Sequence, residues 1–434
     1  MENKPNEKSD APKIDTGKIL LEELSGGPSG NETGGQKKRS NAWLIPVLAV
    51  FTGFIMGAIL IVLTTPDVYS AFGKSFGNGL TASWSAVSVA YGALFKGSVG
   101  DPATIIAALK SGNPADLNKA FYPFLESLVT ATPYIFAGLA VALGFRSGLF
   151  NIGVEGQLYM GAAAATFVGF SVTGLPIYIH LPLAILAGAL AGGIWGFIPG
   201  WLKAKTGGHE VINTIMMNWI AINFTGWLLT SGPLQRPNSG GNPISPEVLP
   251  TAQMPRLFAD PIRFHIGFFI ALLIAWLVYW FLFKTTWGFS LRTTGANPNA
   301  GHYAGMSIVR NTVIAMALSG ALAGMAGANQ VLGVDHTMST SVSAGYGFDS
   351  IALALLGNST PLGVVLAALL FGFLNNGATQ MMRDASIPIS IISVIQSFII
   401  VFIAAPSLIR TIYRIRVLKA GEGGVTIRSW GGNQ

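Results

Sequence analysis

Long apolar runs alternate with polar breaks along most of this chain. Ten runs stand out, at roughly 42–64, 120–145, 155–173, 180–202, 211–231, 264–284, 311–332, 345–358, 361–380 and 388–408. Most approach the ~20 residues that an α-helix needs to cross the hydrocarbon of a bilayer. The eighth is short, as a partly inserted or broken helix would be. Residues 82–95 are only mildly apolar and are left in a first external loop at 65–119. The pattern predicts an all-α polytopic membrane protein with about ten transmembrane helices.

Residues 1–40 are polar, rich in Gly, Ser, Lys and Glu, and show no apolar period. They are expected to form a disordered cytoplasmic tail, with room for a short amphipathic helix at Ile14–Leu24. The first apolar stretch begins near Ala42, too late for a signal peptide. A membrane domain is expected over 41–410 and a cytoplasmic C-terminal tail over 411–434. Basic residues set the orientation. Lys37, Lys38 and Arg39 precede the first span and place the N-terminus inside. Alternation then puts Arg146, Lys203, Lys205, Lys284, Arg292 and Arg310 inside, with Arg410, Arg414, Arg416, Lys419 and Arg428. Lys74, Lys96, Lys110, Lys119, Arg236, Arg256, Arg263 and Arg383 fall outside, half of them in one long loop. Both termini are therefore expected to be cytoplasmic.

Composition agrees. The chain is 51% hydrophobic and 10% charged, against about 25% charged in soluble domains. It has no cysteine, which excludes a disulfide scaffold, Cys-ligated zinc and a catalytic thiol. The net charge of +7 sits beside apolar segments as a topology signal, and no nucleic-acid partner is expected. Much of the glycine lies inside the apolar runs, where small residues let helices pack closely. Gly188, Gly192, Gly196 and Gly200 recur every four residues, as do Gly320, Gly324 and Ala328. That spacing lines one helix face. The pentapeptide GALAG occurs at both Gly188–Gly192 and Gly320–Gly324, on spans expected to run in opposite directions. It fits an inverted repeat or shared packing.

Polar side chains inside apolar runs normally face the bundle interior or an aqueous path. Here they are Glu126, Asn151, Glu155, Gln157, Asn213, Asn218, Asn223, Asn329, Gln330, Asn375, Asn376, Gln380 and Gln396. Amides dominate, which suits a neutral hydrogen-bonding solute, although each amide can equally join two helices. The scarcity of buried acids argues against an ion-driven carrier, and the amide cluster argues against a plain scaffold. His180 is expected at a helix start in an interfacial role. No HExxH, GxSxG or GxGxxG appears in a strand–helix context. The nearest phosphate-binding pattern is Val68–Ser75, where Val68 stands in place of the required Gly. No bound cofactor is expected.

Leu291–Ile308, LRTTGANPNAGHYAGMSI, is only moderately apolar. Pro298 suits the first turn of a short helix, and the small residues give that helix a face for close docking. The segment resembles the coupling loop of ABC-importer permeases of the ribose, branched-chain amino acid and nucleoside class. Gly295, Asn297, Ala300, Ala304 and Gly305 match that family, with Met306 in place of the usual Ile. Ser319–Gly327 and Gly347–Gly377 also resemble it. Asn358-Ser359-Thr360-Pro361 stands where many relatives carry more Gly, so this turn is expected to differ in detail. Gly148–Ala162, GLFNIGVEGQLYMGA, is similar to the purine-nucleoside branch. Together the resemblance covers about 120–410.

The resemblance implies a permease subunit that pairs with a second, related permease. ATP-binding subunits would hydrolyse ATP below it, and an extracellular substrate-binding lipoprotein would deliver solute. It implies a bacterial cytoplasmic membrane location, with coupling through about 285–310, at Gly295, Asn297, Pro298, Ala300, Ala304 and Gly305. Asn151, Glu155, Gln157, Asn213, Asn329, Asn375 and Asn376 become candidates for the substrate path. Gly188, Gly192, Gly196, Gly320 and Gly324 become candidates for helix packing. A guanosine-type solute is expected, with a simple sugar such as ribose the alternative within the family and a stand-alone secondary carrier the alternative outside it.

Overall fold

The computed structural model describes residues 44–414. The expected N-terminal tail, the helix at Ile14–Leu24 and residues 415–434, with Arg416, Lys419 and Arg428, lie outside the described residues. In chain order the helices are α1 (Leu44–Thr64), α2 (Pro66–Lys74), α3 (Phe76–Val99), α4 (Pro102–Ser111), α5 (Pro114–Arg146), α6 (Val154–Ser171), α7 (Ile177–Thr206) and α8 (Glu210–Thr230). There follow α9 (Gly267–Lys284), α10 (Thr286–Ala296), α11 (Pro298–Tyr303), α12 (Ile308–Asn329), α13 (Tyr346–Leu356), α14 (Pro361–Ala385), α15 (Ser390–Ala404) and α16 (Pro406–Ile412). A π turn at Gln330–Asp335 extends α12. Among the described residues there are only two isolated β-bridges and no strand.

Every one of the ten apolar runs is helical. Six helices (α1, α5, α7, α9, α14 and the extended α12) are long and apolar enough to cross a membrane. α6 and α8 have 18 and 21 residues, but Glu155, Gln157, Asn213 and Asn218 interrupt their apolar character. α13 has only 11 residues, matching the short eighth run. The tenth run breaks at Pro406, whose missing N–H cannot continue a helix, so α15 ends and α16 begins.

The segment at 65–119 is not a loop. It forms α2, α3 and α4 and the start of α5. α3 packs along α14 and also meets α5 and α1. It buries Gly79, Ala90, Ala93, Leu94 and Ser98. Four of these five are small or weakly polar, and so the run reads as only mildly apolar. The hydroxyl of Tyr91 donates to the Phe54 carbonyl at 2.5 Å, and that of Ser127 donates to the Ser98 carbonyl at 2.8 Å. Val68–Ser75 belongs to this region. It is helix α2 followed by Ser75, whose hydroxyl caps α3 by accepting the Asn78 N–H at 3.1 Å. A closed helical junction of this kind is no open phosphate cradle.

α7 and α12 share the most extensive contact of any helix pair. They run antiparallel, with Gly188 against Ala328 and Gly200 against Met316. A Cβ on Gly192 would lie 2.7 Å from the Gly324 Cα, and one on Gly320 would lie 3.0 Å from the Gly196 Cα. The two GALAG segments are thus each other's partners, and their shared sequence is the shared requirement for backbone contact. α6 joins the same seam through Gly161, which faces the Gly324 backbone. The opposite face of α7 presents Leu183, Leu186, Leu190, Ile194 and Phe197 outward, as a lipid-facing surface does.

Candidate functional site

The interior polar groups sort into three arrangements. The first is a knot at the start of α6. α5 is closed by Gly148 at φ +70°, with the Leu149 N–H returning to the Gly144 carbonyl at 2.9 Å. The chain then turns through Asn151, which is fully buried. Its Nδ2 donates to Gln157 Oε1 (2.9 Å) and Ser319 Oγ (2.8 Å), and its Oδ1 accepts from Gly153 N (2.9 Å) and Gln157 Nε2 (3.2 Å). The Ser319 hydroxyl in turn donates to the Ala140 carbonyl at 2.6 Å. Every hydrogen-bonding position of Asn151 is therefore used within the protein. Asn151 and Gln157 lie together, and the bonds between them and Ser319 fasten α5, α6 and α12.

Glu155 is 4% exposed. Its Oε2 accepts the Gly347 N–H at 2.9 Å, so the carboxylate caps the first turn of α13, where an anion suits the free N–H groups. Asn218 holds the other side of this start. Its Oδ1 accepts from Gly156 N (2.8 Å) and its Nδ2 donates to the Ile152 carbonyl (2.9 Å). Asn213 was expected in this group, but it is half-exposed beside Gly208, on a different face of α8 from Asn218.

The second arrangement crosses the bundle. Gln396 Nε2 donates to Asn375 Oδ1 (3.1 Å), Asn375 Nδ2 donates to Tyr134 Oη (2.7 Å), and Tyr134 donates to Asp349 Oδ2 (2.9 Å). This chain of donors ends on a carboxylate and joins α15, α14, α5 and α13. Tyr346 stands edge-on to Tyr134, with ring centroids 4.7 Å apart. Asp349 and Asn375 are half-buried, whereas Tyr134 is 2% exposed. Sequence reasoning placed Asn375 here but passed over Tyr134 and Asp349. A tyrosine is unremarked in an apolar run, and Asp349 stands out only as part of the family-like stretch Gly347–Gly377. Asn376 turns elsewhere, its Nδ2 meeting the carbonyls of Gly97 (3.0 Å) and Pro123 (2.9 Å) and Ser127 Oγ (3.0 Å). It secures α3 against α5 and α14.

The third arrangement lies about 30 Å along α5 from Arg146, taking 1.5 Å per residue. Glu126 pairs there with Arg263, so one of the two acids expected in the spans is neutralised by a loop cation. Asn329 is 1% exposed near His265, and neither of its amide atoms has a protein hydrogen-bond partner. It touches neither the knot nor the Tyr134 chain through a hydrogen bond. His180 is buried at the start of α7, its ring nitrogens meeting Thr251 Oγ1 (2.8 Å) and the Val168 carbonyl (3.1 Å).

The segment after α9 is largely exposed. Asn297 caps α11, its Oδ1 accepting from Asn299 N (3.0 Å) and Ala300 N (3.1 Å), with Pro298 at the first helical position. Ala300, Ala304 and Gly305 lie on the surface, and Tyr303 is 94% exposed. Of the expected coupling residues, Gly295 turns inward, against Ser147 and Gly148. Arg146 and Arg292 both lie over the Phe283 ring, at 5.8 and 4.9 Å. A short, capped, exposed helix on a rigid footing is suited to receive another protein.

Comparison with known proteins places this architecture. The family described as "Branched-chain amino acid transport system / permease component" matches residues 124–404. The chain is 38% identical to the guanosine ABC transporter permease protein NupP of Bacillus subtilis, over 86% of this chain and 96% of that one. It is 32% identical to the nucleoside ABC transporter permease protein NupB of Lactococcus lactis, over 87% and 95%. It is 31% identical to the glucose ABC transporter permease protein TsgB13 of Haloferax volcanii, over 87% and 91%. No solved structure matches. With the family covering most of the helical bundle, including the knot, the Tyr134 chain and the exposed α10–α11 segment, this multi-pass membrane protein belongs to that family of transport-system permeases.

Proposed function

We propose that this chain is a permease subunit of an ATP-binding cassette importer that carries purine nucleosides, guanosine among them, across a bacterial cytoplasmic membrane. ATP is hydrolysed on separate subunits that dock at α10–α11. A second, related permease completes the pathway, and an extracellular lipoprotein delivers the solute. The carrying observation is the chain Gln396–Asn375–Tyr134–Asp349. It offers a carboxylate acceptor and an amide at half-buried positions, beside a tyrosine pair. Ribose hydroxyls donate well to a carboxylate, and a purine has a flat face for an aromatic ring. The solute class of the Bacillus and Lactococcus relatives supports the same reading.

Uptake of radiolabelled guanosine by cells with and without this chain tests the proposal. Deletion is expected to abolish high-affinity uptake. Tyr134→Phe, which breaks the chain of donors without removing the ring, is expected to reduce it about tenfold, as the loss of a hydrogen bond to a charged group worth ~1.5 kcal/mol does. A second reading, a simple sugar, is favoured by the Haloferax relative. Loss of ribose or glucose uptake with guanosine uptake intact would select it.

A further inference from the structure

α13 is held at both ends by one short stretch of chain. At its N-terminus, Glu155 accepts the Gly347 N–H at 2.9 Å. At its C-terminal turn, Arg146 Nε donates to the Ser359 carbonyl (2.9 Å) and Arg146 Nη2 to the Asn358 carbonyl (3.0 Å). Between these two holds, the same stretch meets the exposed segment after α9. A Cβ on Gly148 would lie 2.5 Å from the Gly295 carbonyl oxygen and 2.7 Å from its Cα. This is direct backbone contact, with no side chain to yield. The stretch is itself held, because Asn151 is bonded to Gln157 and Ser319 and Asn218 bonds the Gly156 N–H and the Ile152 carbonyl. α13 in turn carries Asp349, the end of the Tyr134 chain.

We infer that residues 146–155 are a clamp that moves α13, and with it Asp349, as one body with α10–α11. Glu155 and Arg146 are positioning residues, acting on solute through Asp349 without touching it. This rests on the proposal that α10–α11 receives the ATPase. A push on Gly295 reaches Gly148 through backbone contact, and the two holds prevent α13 from lagging at either end.

The test uses the whole importer, with its ATPase and second permease, in proteoliposomes. Glu155→Gln keeps an oxygen to accept the Gly347 N–H, and Glu155→Leu does not. Guanosine uptake per ATP hydrolysed is expected to stay near wild type in Glu155→Gln. In Glu155→Leu it is expected to fall about tenfold, a typical coupling free energy, with KM for guanosine and the ATPase rate retained. A Leu variant that couples normally overturns the clamp. So does a Gln variant as poor as Leu, because charge on the solute path would then be the requirement. Distances between spin labels give an arm that needs no solute, in a chain without native cysteine. Phe348 on α13, Asn299 on α11 and Phe51 on α1 are exposed. Between nucleotide-free and ATP-bound states, the Phe348→Cys to Asn299→Cys distance is expected to hold while Phe348→Cys to Phe51→Cys shifts. A change in the first or constancy in the second overturns the clamp. If the wild-type importer moves no guanosine, the proposed solute fails, and the label distances still decide the clamp.

Discussion

Asn358 and Ser359 close α13 at φ of +50° and +49°, in the left-handed region that costs an L side chain about 1–2 kcal/mol. The turn thus holds the backbone shape that glycine favours while carrying side chains in its place. Ser359 gains little in return, its hydroxyl lying 3.4 Å from the Ala354 carbonyl. Ser359→Gly keeps the carbonyl that Arg146 binds and is expected to stabilise the subunit by up to about 1 kcal/mol after glycine's entropic cost. A raised unfolding temperature in detergent checks this. The amides teach a related lesson. That Asn151 and Gln157 do something inside the bundle was legible, because hydrocarbon does not satisfy an amide. That they satisfy each other was not, since the arrangement needs Ser319, 168 positions away. Asp349 was visible only as part of a family-like stretch, and Tyr134 was hidden because its ring belongs in an apolar run and only its hydroxyl is polar.

Among the elements, length and apolarity made α1, α5, α7, α9, α12 and α14 easy to find. α3 escaped because its buried face is made of Gly79, Ala90, Ala93, Leu94 and Ser98, which contribute close contact instead of hydrophobic weight. Its place depends on Gly377 of α14, where a Cβ would lie 3.0 Å from a Leu94 methyl carbon. The α7–α12 seam was readable from its four-residue period, though not that its two halves face one another. Gly192→Val puts a branched side chain against the Gly320 carbonyl and the Gly324 backbone. It is expected to cost at least the ~1–3 kcal/mol of an overpacked core, and to lower the yield of folded protein in size-exclusion profiles. Val at Gly226, which meets nothing within 4 Å, is expected to leave the profile unchanged.

For the whole molecule, the alternation of Lys and Arg predicts that α10–α11 faces the cytoplasm and the loop between α8 and α9 faces the exterior. Single cysteines at the exposed positions Asn299 and Asn238 test this. An impermeant thiol reagent applied to intact cells is expected to modify Asn238→Cys and spare Asn299→Cys, with inverted vesicles giving the reverse. The bundle as a whole was legible because lipid enforces long apolar helices. The site was less so, because it depends on which helices meet. The seam between α7 and α12 carries one more consequence. It is glycine backbone against glycine backbone, in a setting where lipid, not water, is displaced. Contacts made by removing apolar surface from water weaken on cooling and leave a large heat-capacity signature when they part. This seam should do neither, and the subunit should keep α7 and α12 together in the cold.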